Sequence, residues 1–427
     1  MLDSIRTQYR LLGRPFSLFL LQDWLTLISM LSGKVGLAWW IASHGGARDL
    51  AWYGACVSGA ILVLTPILAP FGDRFDKRLA IAWALVVMTL NALVVATLCQ
   101  LGIYRIGLII GLQLIHAVTL AVIIPATLSV AADVVETTHL QQALAVQKTA
   151  QALGRTIGPA LGGAALAIAG EASALWLAAL FAGISAWATF RVPPFGRKPR
   201  AAPTLTQWWH DFRIGILMRW RIPLERYWTT LSFLFILFFA PATGMLMPLM
   251  VKARGLSGGW LGVMEMGLSI GMLVGPLALS RHLNARFGRY RANIFCICGE
   301  AVGVFVAGLI HVPLALALCF VFIGLCLSCY VLNGQTHRML AVPDDFRARL
   351  MGVNMAIYES GSALGVTIAG VALLRLPVDQ LYLVYGVIMG VLALGFTVIP
   401  GYRQFISLPH EAVKDYYRRT YPQAFQA

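Results

Sequence analysis

Negative charge is scarce in this chain. Of 427 residues only 18 are Asp or Glu, against 33 Lys and Arg, and charged residues of both signs make up 12%. A water-soluble domain carries about twice that fraction, which excludes a soluble enzyme or carrier. Paired metal-ligand spacing is missing too. The seven cysteines include one CxxC, Cys326 and Cys329, set in an apolar run without a second pair or a histidine cluster. These read as small apolar filler, and no metal is expected. The polar segments hold no HExxH, no nucleotide-binding glycine loop and no Ser-His-Asp spacing, so neither catalysis, nor a cofactor, nor direct use of a nucleotide is expected. No cleavable signal peptide is visible, and the first apolar segment is expected to stay as the insertion signal.

What is present is hydrophobic. Apolar residues make up 59% of the chain and the mean hydropathy is +0.76. A net charge of +15 would point to nucleic acid if the basic residues striped one face. They flank apolar blocks instead, as loop charges of a polytopic membrane protein do, and no nucleic-acid partner is expected.

A hydrocarbon core needs about 20 apolar residues per helix. Twelve such runs lie near 16–42, 51–71, 79–101, 106–128, 141–168, 172–190, 228–251, 259–280, 292–311, 313–335, 350–374 and 380–400. The fold class is therefore all-α and polytopic. The longest polar stretch, Arg191–Tyr227, contains Trp208, Trp209 and Arg213 and reads as a linker with a helix lying in the interface. It separates a bundle at 1–191 from a bundle at 228–400, with the linker at 192–227 and a tail at 401–427. Lys and Arg favour one side by about five to one, the exceptions being Arg48, Arg105, Lys252, Arg254 and Arg375. Both termini are thereby placed in the cytoplasm.

The fifth run holds Gly154-Arg155-Thr156-Ile157-Gly158-Pro159-Ala160-Leu161-Gly162-Gly163. Glycines four apart leave a groove that a neighbouring helix can approach closely. Proline breaks one helix hydrogen bond, and an arginine at membrane depth marks function. This is the composition of a moving part. The halves also align with each other: Gln147–Leu166 falls on Asn354–Leu373, and Gly154, Gly158 and Gly163 meet Gly361, Gly365 and Gly370. Six spans repeated in the same sense describe a carrier that rocks two bundles about a central site.

Those residues resemble the major facilitator superfamily. The loop Ala69-Pro70-Phe71-Gly72-Asp73-Arg74-Phe75-Asp76-Lys77-Arg78 is similar to the family's G-x-L-a-D-R-x-G-R-R signature, with Ala69 and Asp76 in place of two glycines. Asp76 in the D-R-F-D-K-R version resembles the branch of enterobactin exporters and macrolide efflux pumps. The G-x-x-x-G-P-x-x-G-G run matches the signature of drug antiporters in that family. The resemblance implies the two-bundle fold and an inner gate at Asp73, Arg74 and Arg78, in which Asp73 meets the start of span eleven and accepts its free N–H groups. Gly154, Gly158, Pro159 and Gly162 are the expected gating groove.

Ionisable residues at membrane depth are few. Asp23 and Lys34 share one face of span one, about 16 Å apart, as two polar stations along a wall. Lys148, Gln151 and Arg155 form a stripe on span five. The resemblance sets spans five and eight against each other, so Glu265 is expected to pair with Arg155. His116 in span four can titrate near neutral pH, and Glu359, beside Tyr358 in span eleven, can carry a proton. The resulting expectation is a monomeric proton-coupled exporter of an amphipathic small molecule, siderophore-like or drug-like, in the bacterial inner membrane. Its partners are that substrate, protons and the bilayer. A lipid-type or nutrient carrier of the same fold is the alternative, and a polytopic membrane enzyme stands last because no catalytic cluster is visible.

Overall fold

The computed structural model describes residues 2–74, 76–135, 139–193 and 205–425. Regular structure among the described residues is helical, with no strand. A backbone surrounded by hydrocarbon has to satisfy its N–H and C=O groups within its own segment, and long apolar runs meet that condition as helices.

Among the described residues, eleven helical stretches are long and apolar enough to cross a bilayer. One of them, Gly258–Leu309, has 52 residues, more than twice the roughly 20 that one crossing needs. It consists of α10 (Gly258–Val274), a π-turn at Gly275–Leu279 and α11 (Ser280–Leu309). Within α11, Gly288 takes φ 77° and ψ 156°, a conformation that costs glycine little and other residues much. The helix breaks there, so this stretch is two crossings, which makes the expected twelve among the described residues. Gly13 breaks α1 (Leu2–His44) in the same way, with φ 79° and ψ 160°. The expected seventh span is α8 (Pro223–Thr243) followed by α9 (Leu246–Ala253).

The helices form two compact units. The first comprises Met1–Asp49, Ala60–Leu205 and Ser257–Met266. In it α1 lies on α5 (Leu140–Ala169) and α6 (Glu171–Arg191), while α3 (Lys77–Gln100) lies on α4 (Ile106–Val134) and α6. Small residues set the α1–α6 seam: Gly33 and Gly36 face Ala178 and Ala174. Hydroxyls then join the backbones, with Ser29 donating to the Ala178 carbonyl at 2.7 Å and Thr26 meeting Ser185 at 2.7 Å. Close backbones and inter-helix hydrogen bonds are what hold helices together where apolar burial against lipid gains nothing.

The glycines of α5 receive α1. A methyl on Gly158 would lie 2.9 Å from Leu31 Cβ, and one on Gly162 would lie 2.8 Å from Ser32 Cα. One residue further, Gly163 lies backbone to backbone with Gly262 of α10.

The second unit comprises Leu50–Gly59, Thr206–Leu256 and Gly267–Ala427. Here α13 (Asp344–Ala372) lies on α8, and α11 lies on α12 (Pro313–Ala341) and α14 (Val378–Gly395). Its aligned glycines do the same work: Gly361 and Gly365 receive Phe233, Ile236 and Leu237 of α8, and Gly370 meets Ala51 of α2 (Gly46–Arg74). Arg254 fastens one end, donating to Asp379 at 2.7 Å, to the Ala307 carbonyl at 2.9 Å and to the Ile310 carbonyl. Cys296, Cys326 and Cys329 are buried in one apolar cluster with Leu283 and Ala292, a use of cysteine as a small hydrophobe.

Residues 402–425 pack within this unit. Tyr402, Phe405, Ile406, Val413 and Tyr417 are all buried. Phe405 stacks on Tyr417 and meets Trp228 edge-on.

Candidate functional site

Two polar stations lie along α1 in the first unit. Asp23 is buried and its Oδ2 accepts from Gln147 Nε2 at 3.1 Å and Gln151 Nε2 at 2.9 Å. The two glutamines sit four apart on α5 and therefore project side by side. Lys148 and Arg155 are exposed on the same helix and attract the Asp23 carboxylate electrostatically.

The second station is Lys34, whose Nζ lies 3.0 Å from Glu265 Oε1 and 3.3 Å from Oε2. The lysine side chain is 47% exposed and the glutamate 9%. Asp23 and Lys34 thus take separate partners, as their spacing of about 16 Å requires.

The pairing of Glu265 differs from the expected one. Arg155 was the partner anticipated from the sequence, and Lys34 holds that place. The reason lies in how α10 begins. Gly258 lies against both Trp39 of α1 and Leu166 of α5, and Gly262 lies against Gly163 and the Pro159 carbonyl. The first turns of α10 therefore run along the α1–α5 seam, and seven residues on from Gly258 the carboxylate of Glu265 meets α1.

The remaining expected residues sit on further helices. His116 is half-buried in α4, its carbonyl accepting from Thr119 at 2.7 Å. Tyr358 and Glu359 lie in α13, the first exposed and the second half-buried. Asp73 and Arg74 end α2, and their side chains lie outside the described residues. Arg78, in the first turn of α3, donates from its backbone to Asp76 Oδ1 at 2.9 Å and from its guanidinium to the Phe190 carbonyl at 2.7 Å.

Sequence reasoning missed Gln147 and an entire ionic cluster in the second unit. Arg338 of α12 grips Glu225 of α8 with two parallel bonds, Nε to Oε1 at 3.0 Å and Nη2 to Oε2 at 2.6 Å. Its guanidinium lies 4.6 Å over the Trp228 ring. The Tyr417 hydroxyl donates to Glu225 Oε1. Burial first, and then the neighbouring Glu225 carboxylate, raise that hydroxyl well above its ordinary range, so it stays protonated and donates.

From α7 (Leu205–Arg221), Arg219 reaches Thr229 at 2.9 Å, the Leu350 carbonyl at 3.2 Å and Asn354 Oδ1. Burial pulls this guanidinium down to about 10, and Arg338 pulls in the same direction while Glu225 opposes it. It remains a cation at neutral pH. The sequence signal for the cluster was slight: Glu225 and Arg338 stand just beyond apolar runs and Arg219 in the polar linker, where charges are usually solvated.

The profile of the Major Facilitator Superfamily matches residues 24–284 and 277–413. Among solved structures, the nucleoside transporter NupG is 14% identical at a TM-score of 0.71, covering 91% of this chain and 99% of that one. The peptide transporter POT in complex with sulfate is 13% identical at a TM-score of 0.71, covering 93% and 96%. A bacterial homologue of the iron transporter ferroportin in its inward-facing state is 14% identical at 0.67, covering 90% and 99%. No curated protein sequence matches significantly. With most of its length under the family profile and twelve helices in the shared fold, this chain belongs to the Major Facilitator Superfamily and is a multi-pass membrane transporter.

Proposed function

We propose that this transporter exports an amphipathic small molecule across the bacterial inner membrane by alternating access, in exchange for protons and with both termini in the cytoplasm. The observation that carries the proposal is the separation of two ionisable stations on one helix: Asp23 in an amide cradle and Lys34 paired with Glu265. A proton arriving at Glu265 removes its attraction for Lys34. Because Glu265 belongs to the second half of the sequence, that single event weakens the hold of α10 on α1. Gly154, Gly158, Pro159 and Gly162 are the surface along which the movement runs, and Asp73, Arg74 and Arg78 form the inner gate. His116, Tyr358 and Glu359 belong to the further reach of the same path.

Export and substrate class rest on sequence. The G-x-x-x-G-P-x-x-G-G run and the D-R-F-D-K-R loop point to the siderophore and macrolide branch. Exposed Lys148 and Arg155 beside the path favour an anionic substrate of the siderophore type. Everted vesicles holding the full chain test the reading, with a catecholate siderophore and a macrolide offered with and without an imposed pH gradient. Gradient-dependent uptake of the siderophore, abolished in Glu265→Gln, is expected. Uptake indifferent to the gradient, or unaltered in Glu265→Gln, sinks it.

A further inference from the structure

The second unit contains a cavity of about 180 Å³ that includes Tyr358 of the proposed path in its lining but neither of the ionisable stations on α1. Phe235, Phe239 and Ile357 make its apolar wall; of the three charged residues in its lining, Arg338 is paired with Glu225, which leaves Arg219 and Glu300. Both charged side chains are buried, at 4% and 1% exposure. Arg219 spends its two terminal nitrogens on Thr229, Asn354 and the Leu350 carbonyl. Its Nε–H meets no acceptor, and Glu300 Oε1 meets no donor, among the described residues. Buried polar groups are almost always satisfied, and a buried charge without a partner is costlier still. An unmet donor on a cation and an unmet acceptor on an acid, lining the same cavity, describe a complementary guest.

We propose that this cavity binds a small zwitterion with a short aliphatic body, its carboxylate on the Arg219 guanidinium and its ammonium on Glu300. Size sets the class. An apolar cavity of about 150 Å³ holds one benzene, whereas drug-sized ligands occupy roughly 300 Å³ or more. An amino acid of modest length fits, and a siderophore does not. The polar ends are held by α7 and α11, so the guest ties the linker helix to the transmembrane part of this unit.

Isothermal titration of the purified full chain in nanodiscs tests this with L-leucine and 5-aminopentanoate as probes. Each is compared with analogues of one charge: 4-methylpentanoate and 3-methylbutylamine, pentanoate and pentylamine. At least one zwitterion should bind saturably, and its single-charge analogues about tenfold more weakly or worse, as the loss of one charged hydrogen bond implies. Glu300→Gln should erase the preference of the zwitterion over the plain carboxylate. Leu327→Trp puts a larger apolar side chain into the cavity lining while leaving Arg219 and Glu300 themselves unchanged, and should abolish binding while the protein still elutes as one species. Glu265→Gln should bind normally, which separates this site from the transport reading. Zwitterions that bind no better than their analogues, or a preference that survives Glu300→Gln or Leu327→Trp, overturn the proposal.

Discussion

Removing Arg338 should cost this protein more stability than removing almost any other single charge. Glu225 is fully buried and Arg338 nearly so, and the fork between them is joined by Thr229, the Trp228 ring and the Tyr417 hydroxyl. In Arg338→Met the Glu225 carboxylate keeps the Tyr417 hydroxyl but loses its counterion. An uncompensated buried charge of this kind costs about 3–5 kcal/mol. Arg219 stays near enough to attract the carboxylate, which favours the lower figure. At about 2–4 °C per kcal/mol for a unit of some 200 residues, the midpoint should fall by roughly 6–20 °C. Glu225→Leu combined with Arg338→Met should recover most of that loss, because an apolar pair of similar volume avoids desolvating two ions. About 1 kcal/mol should remain, for the hydroxyl of Tyr417 left without its acceptor. Thermal unfolding of the three proteins, followed by tryptophan fluorescence in one detergent, measures this. A single variant within about 1 kcal/mol of the parent, or a double variant as unstable as the single one, would refute the argument.

Three further outcomes follow from other contacts. Tyr417→Phe keeps the ring on Phe405 and removes the bond to Glu225, so it should lower stability by about 1.5–3 kcal/mol in the same unfolding assay. Gly162→Ala forces a methyl to within 2.8 Å of Ser32 Cα and should destabilise by about 1–3 kcal/mol. Gly111→Ala meets nothing within 4 Å in the interior of α4 and should gain about 0.5–1 kcal/mol; the opposite ranking in a side-by-side melt would contradict the groove. Asp23→Asn keeps an acceptor for Gln147 and Gln151, so the midpoint should shift little, while gradient-driven uptake in everted vesicles should be lost.

The architecture was legible because membrane burial writes itself into runs of residues. Twelve apolar segments appear in the sequence, and the glycine alignment between halves anticipates which helices approach closely. Partner choice was not legible. Glu265 was assigned to Arg155 because both lie at similar depth on facing spans, yet Gly258 and Gly262 lay α10 along the seam between α1 and α5. Lys34 on α1 then wins the carboxylate. Depth along a helix follows from counting, whereas rotation about its axis depends on which small residues touch. Gln147 was overlooked although it stands four before Gln151, because an amide carries no charge to draw notice. The Glu225 cluster was hidden for a different reason. Its acceptor lies at the start of α8, its cation near the end of α12, and its hydroxyl 192 residues from the glutamate, in a segment whose polar composition resembles a solvated tail.

The repeat also separates what is duplicated from what is not. Gly158 and Gly365 occupy aligned positions and each receives the first helix of its half, α1 or α8. Gln147 and Asn354 are likewise aligned, and each holds a buried charge, but the charges are opposite. Gln147 donates to the Asp23 carboxylate, while Asn354 accepts from the Arg219 guanidinium. A primary amide has both a donor and an acceptor, so one residue type serves either sign at a repeated position, where a carboxylate or an ammonium would serve one only. The charges themselves come from outside the aligned segments: Asp23 from α1, Arg219 from a linker helix that the first half lacks. Backbone contacts thus follow the repeat and ionic chemistry departs from it. On that ground substitutions at the repeated glycines should alter the rate of transport without changing what is carried.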